Sequence, residues 1–164
     1  VISEVISASA RVAVPVLVDP KFRSFNLYKK VKLFKPNFKE LAVGLNLDIK
    51  NNEIEKLSEA VQGFRAKQGI DTFLVTLSEQ GVLAAQEGEL VHVPAMKREI
   101  TDVSGAGDTV IAVAALCLVA GLPPAELAAI SNLAGGQVCE KAGVIPVNSE
   151  KLLEECTKIG RAHV

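Results

Sequence analysis

The stretch DVSGAGD, Asp102 to Asp108, sets two glycines and two other small residues between two carboxylates, and an apolar run follows it. Small residues let a backbone approach a ligand closely, and successive N–H groups in a tight turn form a concavity for an anion. The start of a following helix adds partial positive charge. Gly105, Ala106 and Gly107 can therefore hold a phosphate or stabilise charge that develops during phosphoryl transfer. Asp108, in the first helical turn, can accept the proton of an attacking hydroxyl. A plain glycine turn with an acidic helix cap is the alternative. Neither the phosphate-loop pattern with a lysine after the glycines nor GxGxxG is present.

A second cluster is KPNFKE, Lys35 to Glu40. Asn37 and Glu40 are three apart and share a helix face. An amide and a carboxylate aimed at one point suit hydrated magnesium near nucleotide phosphates; an ordinary capping box is the alternative. A third cluster, VTLSEQG, offers the Thr76 and Ser78 hydroxyls and the Gly81 backbone to phosphates or ribose. Read otherwise, it is a polar turn. VDPK adds Lys21, a phosphate counter-charge or a solvated lysine after a turn. NLAGGQVCEKAG, Asn132 to Gly143, is rich in small residues, which admit a flat ring or permit tight helix packing. His92 and His163 stand alone and carry no assigned role.

These residues need a frame to bring them together. Apolar runs at 12–20, 31–37 and 72–77 read as strands, and two short strands follow with a turn at Glu87-Gly88-Glu89. Helices are expected over 1–11, with Val1, Val5 and Ala8 on one face, and from Asn37 as N-cap. More are expected over 51–69, where Ile54, Leu57, Val61 and Phe64 share a face, and over 109–120, 124–140 and 149–159. Ser149 is the expected cap of the last. The apolar 109–120 helix is expected to lie buried against the sheet. Strands alternating with amphipathic helices imply an α/β fold with a parallel sheet and helices on both faces. Ligands then bind at the carboxyl ends of the strands. Asp19-Pro20-Lys21, Pro36-Asn37 and Thr76-Leu77-Ser78 all fall at such ends.

The chain has 164 residues, 49% of them hydrophobic and 23% charged, enough for a core and against disorder. A net charge of −1 with scattered lysines and arginines leaves no nucleic-acid footprint. The 109–120 run is shorter than the roughly 20 residues a membrane span needs. Three cysteines read as reduced thiols of a cytoplasmic protein. The start at Val1 inside a helix suggests a cut from something longer.

In order and spacing, DVSGAGD, KPNFKE and VTLSEQG resemble the motifs of the ribokinase-like (PfkB carbohydrate kinase) family, over nearly the whole chain but only the C-terminal half of that family's domain. VPVLVDPK, TLSEQG, DVSGAGDTVI and the Asn of SNLAGG are most similar to its heptose-7-phosphate kinase subgroup, part of bifunctional ADP-heptose synthases. The resemblance implies a three-layer ribokinase-like fold, with 1–164 as the nucleotide-binding part of a single domain. It implies ATP-dependent transfer of the γ-phosphoryl group to a sugar or sugar-phosphate hydroxyl. Asp108 would be the base and Gly105, Ala106 and Gly107 the anion hole. Asn37 and Glu40 would organise Mg2+ and phosphates. Lys21, Thr76, Ser78, Gly81 and Asn132 would lie along the nucleotide site. Asp102 matches a position that helps bind a monovalent cation in several relatives, although VIPVNS lacks the hydroxyl residue expected near it. The family's early glycine motif, most sugar contacts, the β lid and a nucleotidyltransferase domain are not found in these residues. A ribokinase, fructokinase or nucleoside kinase, or a non-catalytic nucleotide-binding module, are the rival readings. An exposed sheet edge implies self-association into a homo-oligomer.

Overall fold

Residues 1–162 are described by a computed structural model. The sheet is ordered β1-β2-β3-β4-β5, with β1 Leu17–Val18, β2 Leu33–Phe34, β3 Thr72–Thr76, β4 Val82–Gln86 and β5 Glu89–Val93. β1, β2 and β3 are parallel, with Leu17 opposite Leu33 and Leu33 opposite Thr72. β4 runs against β3, and β5 against β4, so β5 points the same way as the parallel three. The helices are α1 Ile2–Arg11, α2 Phe38–Leu45, α3 Ile54–Gln68, α4 Ala106–Val119, α5 Pro124–Val138 and α6 Ser149–Ala162.

Period-two alternation decides the layers. Val18, Phe34, Phe73, Val75, Leu83 and Ala85 point to one face, where Leu41 of α2 and Leu57, Val61 and Phe64 of α3 cover them. Leu17, Leu33, Leu74, Val82 and Ala84 point to the other. There they meet Val110, Ala114 and Cys117 of α4 and Leu127 and Ala128 of α5. The result is the expected three-layer α/β arrangement, with a mixed sheet in which two pairings are parallel and two antiparallel. α2 starts on an Asn37 cap, α3 stops at Gly69 in the left-handed conformation, and Pro124 opens α5 where a missing N–H costs nothing.

Several expectations change. The strand expected over 12–20 shrinks to Leu17–Val18, and Val12 and Val14 are exposed. Among the described residues β1 pairs on one side only, Ala13 has φ +54°, and Pro15 offers no N–H, so a longer ladder has no partner. α1 turns Ile6, rather than Val1 or Val5, toward the core. α4 begins three residues earlier than expected and buries one face only; Leu116 is 70% exposed and Val119 87%. α5 takes the inner side of α4, so its outer side faces away from the sheet. The cap of α6 is Asn148, whose Oδ1 accepts from the Lys151 N–H at 2.9 Å, not Ser149.

Among the described residues no helix is long and apolar enough to cross a membrane. Cys117 and Cys139 are buried free thiols and Cys156 is half-buried; burial pushes all three thiols up. His163 lies outside the described residues. His92 Nε2–H donates to the Gln80 carbonyl at 2.7 Å and braces the turn between β3 and β4.

Candidate active site

The three polar clusters meet at one end of the sheet, where β1, β2 and β3 present their carboxyl ends. The Thr76 N–H donates to the Pro36 carbonyl at 3.1 Å, and Asn37 pairs with Thr76 as a parallel bridge. The second and third clusters are therefore joined by backbone. Asn37 Oδ1 accepts from the Glu40 N–H at 2.9 Å, and Glu40 Oε2 accepts from the Asn37 N–H at 2.9 Å. The capping box is thus real. It does not exhaust the pair: Glu40 Oε1 lies 3.6 Å from Lys21 Nζ, and Lys21 is 79% exposed at the side chain. The box fixes both side chains at the strand ends, leaves the Asn37 Nδ2 group without a partner among the described residues and turns Glu40 Oε1 toward Lys21.

α4 brings the glycine loop to the same place. Gly105 takes φ +78° as N-cap, a left-handed turn that favours glycine. The Ala106 N–H donates back to the Val103 carbonyl at 3.2 Å and the Thr109 N–H to that of Gly105 at 2.9 Å. The N–H groups of Gly107 and Asp108 are the unpaired donors of the first turn. A methyl group placed on Gly107 would stand 3.5 Å from Lys35 Nζ. Asp108 is exposed, and no side chain among the described residues bonds its carboxylate. Both of its oxygens can serve a hydroxyl brought to the loop.

Beside this loop runs a cleft of about 770 Å³, lined by Thr76, Ser78, Gly81, Ala106, Gly107 and Asn132 among others. Its far wall is Met96, Arg98 and Ile100. Ser78 adopts φ +54°, and among the described residues nothing bonds its hydroxyl. Asn132 Nδ2 donates to the Pro94 carbonyl at 3.0 Å, which pins the wall and leaves its amide oxygen over the cleft. Gly81 differs from expectation. Its N–H donates to Ser78 O at 3.0 Å and its carbonyl accepts from the Leu77 N–H at 2.7 Å. Both backbone groups are spent within the turn. With φ +88°, its missing side chain lets the turn touch β5: a methyl group there would sit on the Val93 carbonyl and 2.6 Å from the Ala95 nitrogen. Gly81 shapes the cleft by close approach.

The small residues of α5 also find their reason. A methyl group on Gly135 would come 2.6 Å from Val110 Cγ2, and one on Gly136 would come 2.9 Å from Arg98 Nε. Tight packing, of α5 on α4 and on Arg98, is what they permit.

Asp102 stands behind the loop. Oδ1 accepts from the Ser104 N–H at 3.0 Å and the Ser104 hydroxyl at 2.8 Å, and Oδ2 from the Gly143 N–H at 2.9 Å. The Gly143 N–H, then the two Ser104 donors, hold its carboxyl down at about 2. The three donors clamp the glycine loop to the segment after α5. They take three of the roughly four acceptor positions of the carboxylate and leave one on Oδ2.

Two groups escaped the sequence. The buried Lys35 and the exposed Asp19 form an ion pair next to Gly107, at 3.2 Å; both stand inside the quoted motifs, but nothing in the string says they touch. Arg98 bonds Glu140, and Glu155 at 2.6 Å, while Lys151 also bonds Glu140. These partners lie far along the chain from Arg98, just past α5 and on α6. Lys151, then Arg98, hold the Glu140 carboxyl below its ordinary range.

A helix start with unpaired N–H groups, an exposed carboxylate beside it and a cleft thus meet at the carboxyl ends of parallel strands on an α/β sheet. The chain belongs to the pfkB family of carbohydrate kinases, whose family model matches residues 2–151. It is 37% identical over 154 residues to the bifunctional protein HldE of Syntrophotalea carbinolica, covering 93% of this chain and 31% of that protein. It is 36% identical over 164 residues to the bifunctional protein HldE of Geotalea uraniireducens, covering 99% and 32%. The chain thus spans about a third of the length of these curated relatives. Among solved structures, it superposes on phosphofructokinase-2 from Escherichia coli in complex with substrates and products with a TM-score of 0.88. Identity there is 20%, over 97% of this chain and 52% of that one. On ribokinase from Arabidopsis thaliana complexed with ribose and ATP the TM-score is 0.79, with 23% identity over 94% and 51%. These likenesses establish the ribokinase-like fold.

Proposed function

We propose that this chain is the nucleotide-binding part of a ribokinase-like domain that transfers the γ-phosphoryl group of ATP to a sugar hydroxyl, with D-glycero-D-manno-heptose 7-phosphate as the acceptor. The observation that carries the reading is the junction of the Gly105–Asp108 turn with the Asn37–Thr76 strand ends across one cleft. The relatives at 36 and 37% identity, both named bifunctional protein HldE, support the heptose.

In this reading the nucleotide lies in the cleft, with Thr76, Ser78 and Asn132 along it and its phosphates toward Lys21. The Asp108 carboxylate takes the proton of the sugar hydroxyl. That oxygen bonds to the γ-phosphorus as the bond to ADP breaks, and the N–H groups of Gly107 and Asp108 stabilise the charge on the transferred group. No cluster of three or more His, Cys, Asp or Glu able to hold a metal is found among the described residues. Glu40 Oε1, which faces Lys21 at 3.6 Å, would accept from the waters of a hydrated Mg2+ ion, and Asn37 Nδ2 would donate to the phosphates it neutralises. Bound there, Mg2+ supplies neutralisation of phosphate charge. Asp102 keeps one acceptor position on Oδ2, where a monovalent cation would sit. Cytoplasmic location and a homo-oligomer complete the reading.

The test is Asp108→Asn in the complete protein, assayed with ATP against heptose 7-phosphate, fructose 6-phosphate and ribose. We expect kcat to fall by about 10²–10⁴-fold, with Mg-ATP affinity by calorimetry unchanged. Turnover at the wild-type rate removes the base, and preference for another acceptor removes the heptose.

A further inference from the structure

Lys35 is a lysine that water barely reaches: its side chain is 3% exposed. A buried ammonium costs several kcal/mol unless it is paired. Its pairing is Asp19 Oδ1 at 3.2 Å, on a carboxylate 32% exposed. Asp19 directly follows β1 and Lys35 directly follows β2. Alternation puts them on the side of Leu17 and Leu33, the α4 side, where the apolar pattern of both strands breaks at the same level. What they meet is the first turn of α4. A methyl group on Gly107 would lie 3.5 Å from Lys35 Nζ and 3.9 Å from Asp19 Oδ2. An apolar pair of similar volume would stabilise the layer as well or better. A buried lysine and its carboxylate placed instead beside the first turn of α4, whose N–H groups are unpaired, point to a task other than stability.

We propose that Lys35 is a positioning residue for phosphoryl transfer, an inference that rests on the kinase reading above. Anchored by Asp19, it sets the height of the Gly107–Asp108 turn and puts a fixed positive charge behind its N–H groups. A charge already in place needs no reorganisation when negative charge builds on the transferred group. Lys35 acts through the turn.

The test compares Lys35→Met, Lys35→Arg and the double variant Asp19→Asn/Lys35→Met in the complete protein. Thermal unfolding, kcat and KM for ATP and sugar are read for each. We expect Lys35→Met to melt early, because Asp19 loses its partner, and to lose about 100-fold in kcat with both KM values within about threefold. The double variant regains the melting temperature but not kcat, and Lys35→Arg, which keeps the charge, regains most of kcat. A wild-type kcat in Lys35→Met or in the double variant overturns the proposal and leaves the pair a structural tie. So does a folded Lys35→Arg as slow as Lys35→Met. If Lys35→Met does not fold, the double variant and Lys35→Arg decide. A wild-type protein that phosphorylates no sugar overturns the kinase reading itself, before any variant is made.

Discussion

The two faces of the sheet are built from different materials. On the α2–α3 side, Phe25, Phe34, Phe64 and Phe73 pack ring on ring, with centroids 5.0 Å apart for Phe25–Phe34 and 5.1 Å for Phe34–Phe73. On the α4–α5 side the core cluster holds no aromatic ring, only aliphatic side chains, alanines and a cysteine. Its margin carries glycines and the buried Lys35 with its exposed partner Asp19. Each large buried ring contributes about 1.5–3 kcal/mol by burial, plus edge-to-face attraction with its neighbours. The aromatic face therefore holds the sheet together. That leaves the other face free to spend stability on close helix approach and on charges set where chemistry needs them.

The sharpest test of this division is Phe73→Ala. Phe73 is fully buried among rings, and its loss is expected to cost about 3–5 kcal/mol in urea unfolding. kcat per folded molecule should hold within about threefold; a parallel fall in kcat would blur the two faces. Gly135→Ala is expected to do the reverse. The new methyl group presses Val110, two residues past Asp108, at about 1–3 kcal/mol, while the displaced first turn of α4 lowers kcat about tenfold or more. Unaltered kinetics would mean that α4 yields elsewhere. The smallest effect is in acid. Asp102 has its folded pKa depressed, so its contribution is present above pH 3.8 and lost as pH falls toward about 2. Asp102→Asn should flatten that part of the melting profile. Equal acid slopes in the two proteins would remove the clamp.

Much of this was legible in the string because the deciding contacts are local. The Asn37–Glu40 box closes within one turn, and α3 announces itself by period and by Gly69. β3 is a buried apolar run, and the turn at Gly88 joins two short strands. From those elements the strand-end rule brought Thr76, Asn37 and the glycine loop to one side. What stayed hidden depends on distance or on edges. A Val-rich run at 12–15 has strand propensity but no neighbouring strand to bond. Lys35 and Asp19 are ordinary letters until two parallel strands lie side by side. Arg98 finds Glu140 and Glu155 only after α5 and α6 fold back. Gly81 was read for its backbone, and its meaning came from β5 passing over it.

The free thiols give the working face a chemical clock. Cys117 sits on α4, Cys139 just past α5 and Cys156 on α6, while the aromatic cluster has none. With burial pushing each thiol up, thiolate is scarce and an alkylating reagent must wait for a helix to part from its neighbours. The pace of labelling at each position thus records how often that part of the layer breathes, and a nucleotide that closes the cleft should slow Cys139 ahead of the other two.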